Sequence, residues 1–173
     1  MIQYKTVMKN KITIDSIVMN GLLAAIYVVV NAISAPIAFG AVQFRIAEIL
    51  MLFVFFNKRY AIGLTLGCLI ANLMSPFIVL DIIFGTLATL ISCIGIMFYK
   101  HLIVAAAIPV VANAFIVAGV LTTIGEPYWL SVLTVGAGEL AVMAVGYIFF
   151  ILIKKNKGFF VKISATQNID FKF

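Results

Sequence analysis

Four ionisable side chains, Arg45, Glu48, Asp81 and Glu139, lie inside stretches of sequence that are otherwise almost wholly apolar. Asn31, Gln43, Asn72 and Asn113 are their neutral companions. A charge at mid-membrane costs about 2.5–3.5 kcal/mol even on the lenient insertion scale, so such groups face a protein interior or a cavity rather than lipid. As a set they offer three carboxylates that accept hydrogen bonds, one guanidinium with several donors, and carboxamides that do both. One cation against three acids leaves a formal charge of −2. That chemistry binds a small polar molecule, and it favours one that is donor-rich or cationic over an anion.

Each residue also has a plainer structural role open to it. Arg45 and Glu48 stand three apart, share a helical face and can neutralise each other, which is compatible with touching a ligand. Asp81 suits a helix N-cap. Asn72 and Asn113 suit hydrogen bonds between helices, and Asn113 follows Pro109, which frees the carbonyl of Ala105. Glu139 has the weakest structural alternative. It is mid-run, has no basic residue within a turn, and is flanked by Gly136 and Gly138, which leave room beside it. Glu126, Tyr128 and Trp129 read as a solvated loop residue and two interface anchors.

Absences narrow the chemistry. The chain has no GxxxxGK[ST] phosphate loop, no HExxH and no Cys/His ligand cluster, so neither a cofactor nor a metal is expected. Its single histidine, His101, sits at the end of a run, which excludes a Ser/His/Asp arrangement at the polar set. Paired-carboxylate hydrolysis by Glu48, Asp81 and Glu139 stays open in principle; binding or transport is the better fit. Cys68 and Cys93 both fall in apolar segments and read as buried free thiols.

The elements that must position these groups follow from composition. Of 173 residues, 65% are hydrophobic and 10% charged, with a mean hydropathy of +1.22; an ordinary soluble domain is about 25% charged. A soluble enzyme, a nucleic-acid binder and a disordered chain are excluded. Six apolar runs emerge, near 16–35, 42–56, 60–75, 78–99, 101–122 and 129–153, and six crossings of about 20 residues leave no room for a second soluble domain. The second run is short, so it must be little tilted, thinly covered or sheltered by its neighbours. Lys5, Lys9, Lys11, Lys58, Arg59, Lys100, Lys154, Lys155, Lys157, Lys162 and Lys172 all fall on one face if the runs alternate, and the positive-inside rule makes that face cytoplasmic. The expected fold is therefore all-α, an integral bundle of six transmembrane helices with both termini cytoplasmic. Residues 1–15 form an N-terminal segment, 16–155 the membrane domain and 156–173 a C-terminal tail that either lies on the inner surface or is disordered. A cleavable signal peptide is not expected. In this topology the polar set lies at or outside the midplane, which describes a pocket open to the exterior and not a continuous pore. Gly63, Gly67 and Ala71 repeat every four residues, as do Gly21 and Ala25, and small residues so spaced let helices approach closely.

Three blocks carry a family likeness: VQFRIAEILMLF (Val42 to Phe53), GCLIANLMSPFIVLDIIFGTLATLIS (Gly67 to Ser92) and GAGELAVM (Gly136 to Met143). With six short helices, an outward polar pocket and no nucleotide site, they resemble the queuosine-precursor transporter (QueT) family, S components of energy-coupling factor (ECF) transporters. Ala47 stands where the family leads one to expect serine, and the Gly21–Ala25 pair replaces the AxxxA common in S components. The resemblance implies uptake across the bacterial plasma membrane of a 7-deazaguanine, queuine or its 7-aminomethyl or 7-cyano precursor. It implies docking on a membrane T component with two cytoplasmic ATPases, so that ATP is hydrolysed on partners and this chain is not itself an enzyme. No nucleic acid is bound. Arg45, Glu48, Asn72, Asp81, Asn113 and Glu139 would contact substrate, with Phe44, Phe77 or Tyr128 stacking on the ring, and Gly21 and Ala25 would lie at the partner interface. An S component for another nutrient, and a self-sufficient facilitator, remain the alternatives.

Overall fold

The structure, a computed structural model, describes residues 14–38 and 43–163. The expectations for Lys5, Lys9 and Lys11, for the loop at 39–42 and for the tail beyond residue 163 lie outside the described residues. Among the described residues all regular structure is helical, in seven elements taken in chain order: α1 (Ile14–Ala38), α2 (Ile46–Phe56), α3 (Tyr60–Asn72), α4 (Ile78–Ile96), α5 (Leu102–Thr122), α6 (Tyr128–Ile153) and α7 (Lys157–Ile163). Four of these, α1, α4, α5 and α6, are long and apolar enough to cross a membrane; α2 and α3 are shorter apolar helices. The chain is a multi-pass membrane protein.

The first helix lies at the periphery. Its buried residues Leu23, Tyr27, Asn31, Ser34 and Ala38 recur at intervals of three and four, a single stripe. Ile17, Val18, Leu22, Val29 and Ile33 are each more than half exposed, an apolar surface suited to lipid. Its stripe packs on α3, where Gly63 and Gly67 remove the side chains that would hold the two backbones apart. A Cβ at Gly63 would stand 2.4 Å from the Asn20 carbonyl oxygen, and one at Gly67 would stand 2.9 Å from the Tyr27 Cβ. The contact is pinned by the Gly63 N–H, which donates to Asn20 Oδ1 at 2.7 Å.

Shelter is how the short second run is accommodated. It opens as a 3₁₀ helix, Ile46–Leu52, and widens into a single α turn, Phe53–Phe56. At about 2.0 Å per 3₁₀ residue, these eleven residues reach roughly 20 Å, less than a bilayer core. Met51, Leu52, Val54 and Phe56 are fully buried, so α2 runs through the middle of the bundle with little contact with lipid. Phe56 packs against Phe150 of α6 (centroids 5.0 Å apart) and Phe160 of α7 (5.1 Å).

That last contact involves a segment whose structure was open in the sequence. Residues 157–163 form a helix whose Phe160 and Ile163 join the core. The Tyr60 hydroxyl donates to the Ile163 carbonyl at 2.8 Å, and Asn57 Nδ2 donates to the same oxygen at 3.4 Å. The stretch from Phe159 to Phe173 mixes apolar, polar and basic residues without a run long enough to register as hydrophobic, so the sequence alone leaves the inner surface and disorder both open.

Gly63→Ala should force α1 off α3 and cost about 1–3 kcal/mol, as overpacking does. A Cβ at Gly21 meets nothing within 4 Å, so Gly21→Ala should be neutral. Thermal unfolding of the two variants in one detergent checks the contrast, and equal midpoints would refute the close-packing account.

Candidate functional site

Three consecutive facts of local structure bring the polar residues together. Residue i and i+3 eclipse in a 3₁₀ helix, so Arg45, at the N-cap of α2, and Glu48 in its first turn point the same way. Their charged groups approach to 3.5 Å (Arg45 Nη1 to Glu48 Oε1). In α4, the turn Asp81–Gly85 is π-helical, set between the α segments Ile78–Leu80 and Thr86–Ile96. There Asp81 Oδ1 lies 3.6 Å from Arg45 Nη2. The guanidinium is thus shared between two carboxylates from two helices.

Asp81 is not a cap. Helix α4 starts at Ile78, and the Asp81 carboxylate accepts from the Ser75 hydroxyl while pairing with Arg45. The cap-like role belongs to Ser75, whose Oγ accepts from the Phe77 N–H at 3.0 Å. Asn72 holds the π turn: its Nδ2 donates to the Asp81 carbonyl at 2.7 Å and to Thr86 Oγ1 at 3.3 Å. Gly85 leaves the space for this, since a Cβ there would stand 3.0 Å from Asn72 Nδ2 and 3.5 Å from Arg45 Nη1. Tyr27 and Cys68 border the same charges, and the Cys68 thiol accepts from Thr89 Oγ1 at 3.1 Å.

The long helices α5 and α6 complete the cluster. Asn113 Nδ2 donates to Glu48 Oε2. Glu139, on α6, lies against both Glu48 and Asn113. Arg45, Glu48, Asn72, Asp81, Asn113 and Glu139 are all at most 5% exposed. The six residues singled out in the sequence therefore form one connected cluster drawn from α2, α3, α4, α5 and α6, but it is sealed, where the sequence leads one to expect a pocket open to the exterior.

Saturation within the cluster is uneven. Both oxygens of Glu48 are engaged, as are both of Asp81. Buried and without a partner are Arg45 Nε, Asn113 Oδ1 and Glu139 Oε1, while Arg45 Nη2 has its ion pair with Asp81 and no hydrogen bond; Asn31 Nδ2, one turn beyond Tyr27 on the stripe of α1, and Gln43 Oε1, two residues before Arg45, are also buried without a hydrogen bond. Those of Arg45, Asn113 and Glu139 offer a donor and acceptors within the cluster. The aromatic expectations fare differently. Phe44 is exposed, and Tyr128 packs edge-on against Trp129, 5.2 Å between centroids. The buried aromatic at the cluster is Tyr27, which the sequence did not single out. Its signal was the i, i+4, i+7 spacing of Tyr27, Asn31 and Ser34. Ser75, Thr86 and Thr89 were likewise passed over, because hydroxyls in apolar runs most often return to their own helix backbone.

Gly21 and Ala25 are not part of this site. Both are exposed on α1, and Gly21 lines a groove of about 530 Å³ between α1 and α3, with Ser16, Asn20, Ala24, Arg59 and Gly63.

Residues 17–155 match a protein-family model described as QueT transporter. Over 86 residues the chain is 42% identical to a protein named queuosine precursor transporter QueT from Lactococcus lactis subsp. cremoris; that stretch is 49% of this chain and 50% of the relative. The match thus spans about half the length of this curated relative. No solved structure matches the chain.

If Arg45 is the hub, Arg45→Met strands two buried carboxylates and should cost about 3–5 kcal/mol. Ser75→Ala removes one hydrogen bond to a carboxylate and should cost about 1.5–3 kcal/mol. Unfolding midpoints measured side by side should rank the arginine variant lower, and the reverse order would remove Arg45 from the centre of the network.

Proposed function

This chain belongs to the QueT transporter family, and from that premise we propose that it is the substrate-binding S component of an ECF transporter, taking up a queuosine precursor. The substrate class rests on the name of the relative from Lactococcus lactis and on the donors and acceptors of the buried cluster. A 7-deazaguanine presents an N–H and an adjacent NH₂ on one edge and a carbonyl nearby. Glu139 Oε1 and Asn113 Oδ1 are acceptors without partners and suit that edge. Arg45 Nε is an unpartnered donor and suits the carbonyl. Asp81, with both oxygens engaged, serves to hold Arg45 in place, and Asn72 holds Asp81. The buried co-location of unpartnered donors and acceptors is the single observation that carries the reading: each such atom costs about 1–3 kcal/mol, and a ligand repays that cost.

In this reading α1 to α6 all cross the bilayer, with α2 sheltered, and both termini are cytoplasmic. Residues 16–155 form the membrane domain. The exposed pair Gly21 and Ala25, beside the groove between α1 and α3, meets a membrane T component, and two cytoplasmic ATPases on that partner supply the energy. The ligand enters from the exterior.

Calorimetric titration with queuine and its 7-aminomethyl precursor tests the site. Glu139→Gln removes a charged acceptor worth about 1.5–3 kcal/mol, so affinity should fall on the order of 10- to 150-fold while assembly persists; unchanged affinity would take Glu139 out of the site. In liposomes, uptake should require the T component and both ATPases, and uptake by this chain alone would replace the ECF reading with that of a self-sufficient carrier.

A further inference from the structure

Helices α1 and α3 run parallel and in register. A Cβ at Gly63 would meet Asn20, and one at Gly67 would meet Ala24 and Tyr27, so residue numbers rise together along the contact. The groove of about 530 Å³ beside this contact is therefore graded along its length. Ser16, Asn20 and Arg59 stand at the end where both helices begin, while Gly21, Ala24 and Leu66 line it further along. From Ser16 to Ala24 the helix rises about 12 Å at 1.5 Å per residue, most of one leaflet of a hydrocarbon core about 30 Å thick. The rims are apolar: Ile17, Ile62 and Leu66 are each more than half exposed, a surface that in a multi-pass membrane protein faces acyl chains.

The polar end carries one uncommitted charge. Asn20 is engaged within the protein, its Oδ1 accepting from the Gly63 N–H at 2.7 Å and its Nδ2 donating to the Ser16 carbonyl at 2.8 Å. Arg59 is half-buried, its side chain caps no helix, and among the described residues no carboxylate lies within ion-pair distance of it. Exposed Lys58 adjoins it. A guanidinium presents a planar fork of donors that matches the oxygens of a phosphate. An arginine that only snorkels to the interface needs no hollow beside it; this one heads a groove that is apolar beyond it.

We propose that this groove binds one anionic phospholipid in the free chain, before any partner docks, with the headgroup phosphate on Arg59 and an acyl chain laid along Gly21, Ala24 and Leu66. The occupant is a lipid and not a soluble anion, because the cationic end continues into an apolar channel on the bilayer-facing surface. It is an acidic lipid because the cation there is unpaired and a second, Lys58, stands next to it; basic residues at the membrane surface favour acidic headgroups. The channel has space for a chain, since even a Cβ at Gly21 would meet nothing within 4 Å. This site is independent of the uptake reading above.

Native mass spectrometry of the full chain, released from micelles holding equal amounts of phosphatidylglycerol and phosphatidylcholine, tests the site. One phosphatidylglycerol should stay on each chain under activation that strips phosphatidylcholine, and added inorganic phosphate should not displace it. Arg59→Gln should lower the lipid-bound fraction about fivefold, the effect of one basic residue at a lipid surface, and Lys58→Gln should lower it less. Gly21→Leu fills the groove while keeping every charge, and it too should lower the bound fraction with an unchanged unfolding midpoint; it decides the matter if the arginine variant does not fold. Unchanged retention in either folded variant, or an equal loss in Lys58→Gln and Arg59→Gln, assigns the lipid to diffuse surface charge and overturns the site. Equal retention of the two lipids overturns recognition of the phosphate by Arg59. Displacement by inorganic phosphate, or a second copy of the chain in place of the lipid, overturns the choice of occupant.

Discussion

A single guanidinium, shared by two carboxylates from different helices, is the constraint around which the bundle is arranged. Arg45 contacts Glu48 at 3.5 Å and Asp81 at 3.6 Å, and all three side chains are almost fully buried. Removing Arg45 leaves two carboxylates without compensation in a medium where that costs several kcal/mol. The pairing fixes the start of α2 against the π turn of α4, which in turn demands Gly85 at the point where Arg45 and Asn72 pass. It also fixes the side of α2 on which Glu48 emerges, so that Asn113 and Glu139 of the long helices close over it. Register, rotation and partner choice of several helices thus follow from one shared cation.

Much of this was legible because membrane insertion makes charge conspicuous. The six polar residues were found by asking what should not be in lipid, and the cost of placing each there forces them toward one another. Helix limits were legible for a related reason: long apolar runs bounded by basic residues, Pro or Gly have few other readings. The 3₁₀ form of α2 was not legible, since periods of 3.0 and 3.6 cannot be told apart over seven residues. The π turn was hidden as well. It depends on a side-chain amide, Asn72, reaching a backbone carbonyl nine residues away, and no local pattern announces that. Tyr27 was missed because an aromatic in an apolar run reads as core, and α7 was missed because its anchorage is a backbone carbonyl held by Tyr60 and Asn57.

The second helix explains why a bundle of short elements holds together. One end carries the charged cluster, while the other carries Phe53 and Phe56, packed against Phe150, Phe159 and Phe160. Apolar association gains little from the hydrophobic effect within lipid, so close packing and polar contacts must supply the attraction. Interlocked rings at one end and a charge network at the other provide both. The glycine contacts of α3 with α1 add a third fastening, at which backbones meet directly.

Stability alone does not account for the composition of the cluster. Well-packed apolar side chains of similar volume commonly match or exceed a buried ion pair in stability, and a bundle built to be stable would contain one. Unpartnered buried polar atoms are more costly still. Here they are concentrated on Asn31, Gln43, Arg45, Asn113 and Glu139; elsewhere among the described residues they occur on the hydroxyls of Thr65 and Ser92. Those of Arg45, Asn113 and Glu139 belong to the cluster around the Arg45, Glu48 and Asp81 ion pairs and supply both a donor and acceptors there. A recognition site has to retain such atoms, because a donor already satisfied by the protein has nothing left to offer a ligand. In the proposed uptake reading the incompleteness of the network is its functional feature, and the paired Arg45, Glu48 and Asp81 are the frame that keeps the unpaired atoms in position.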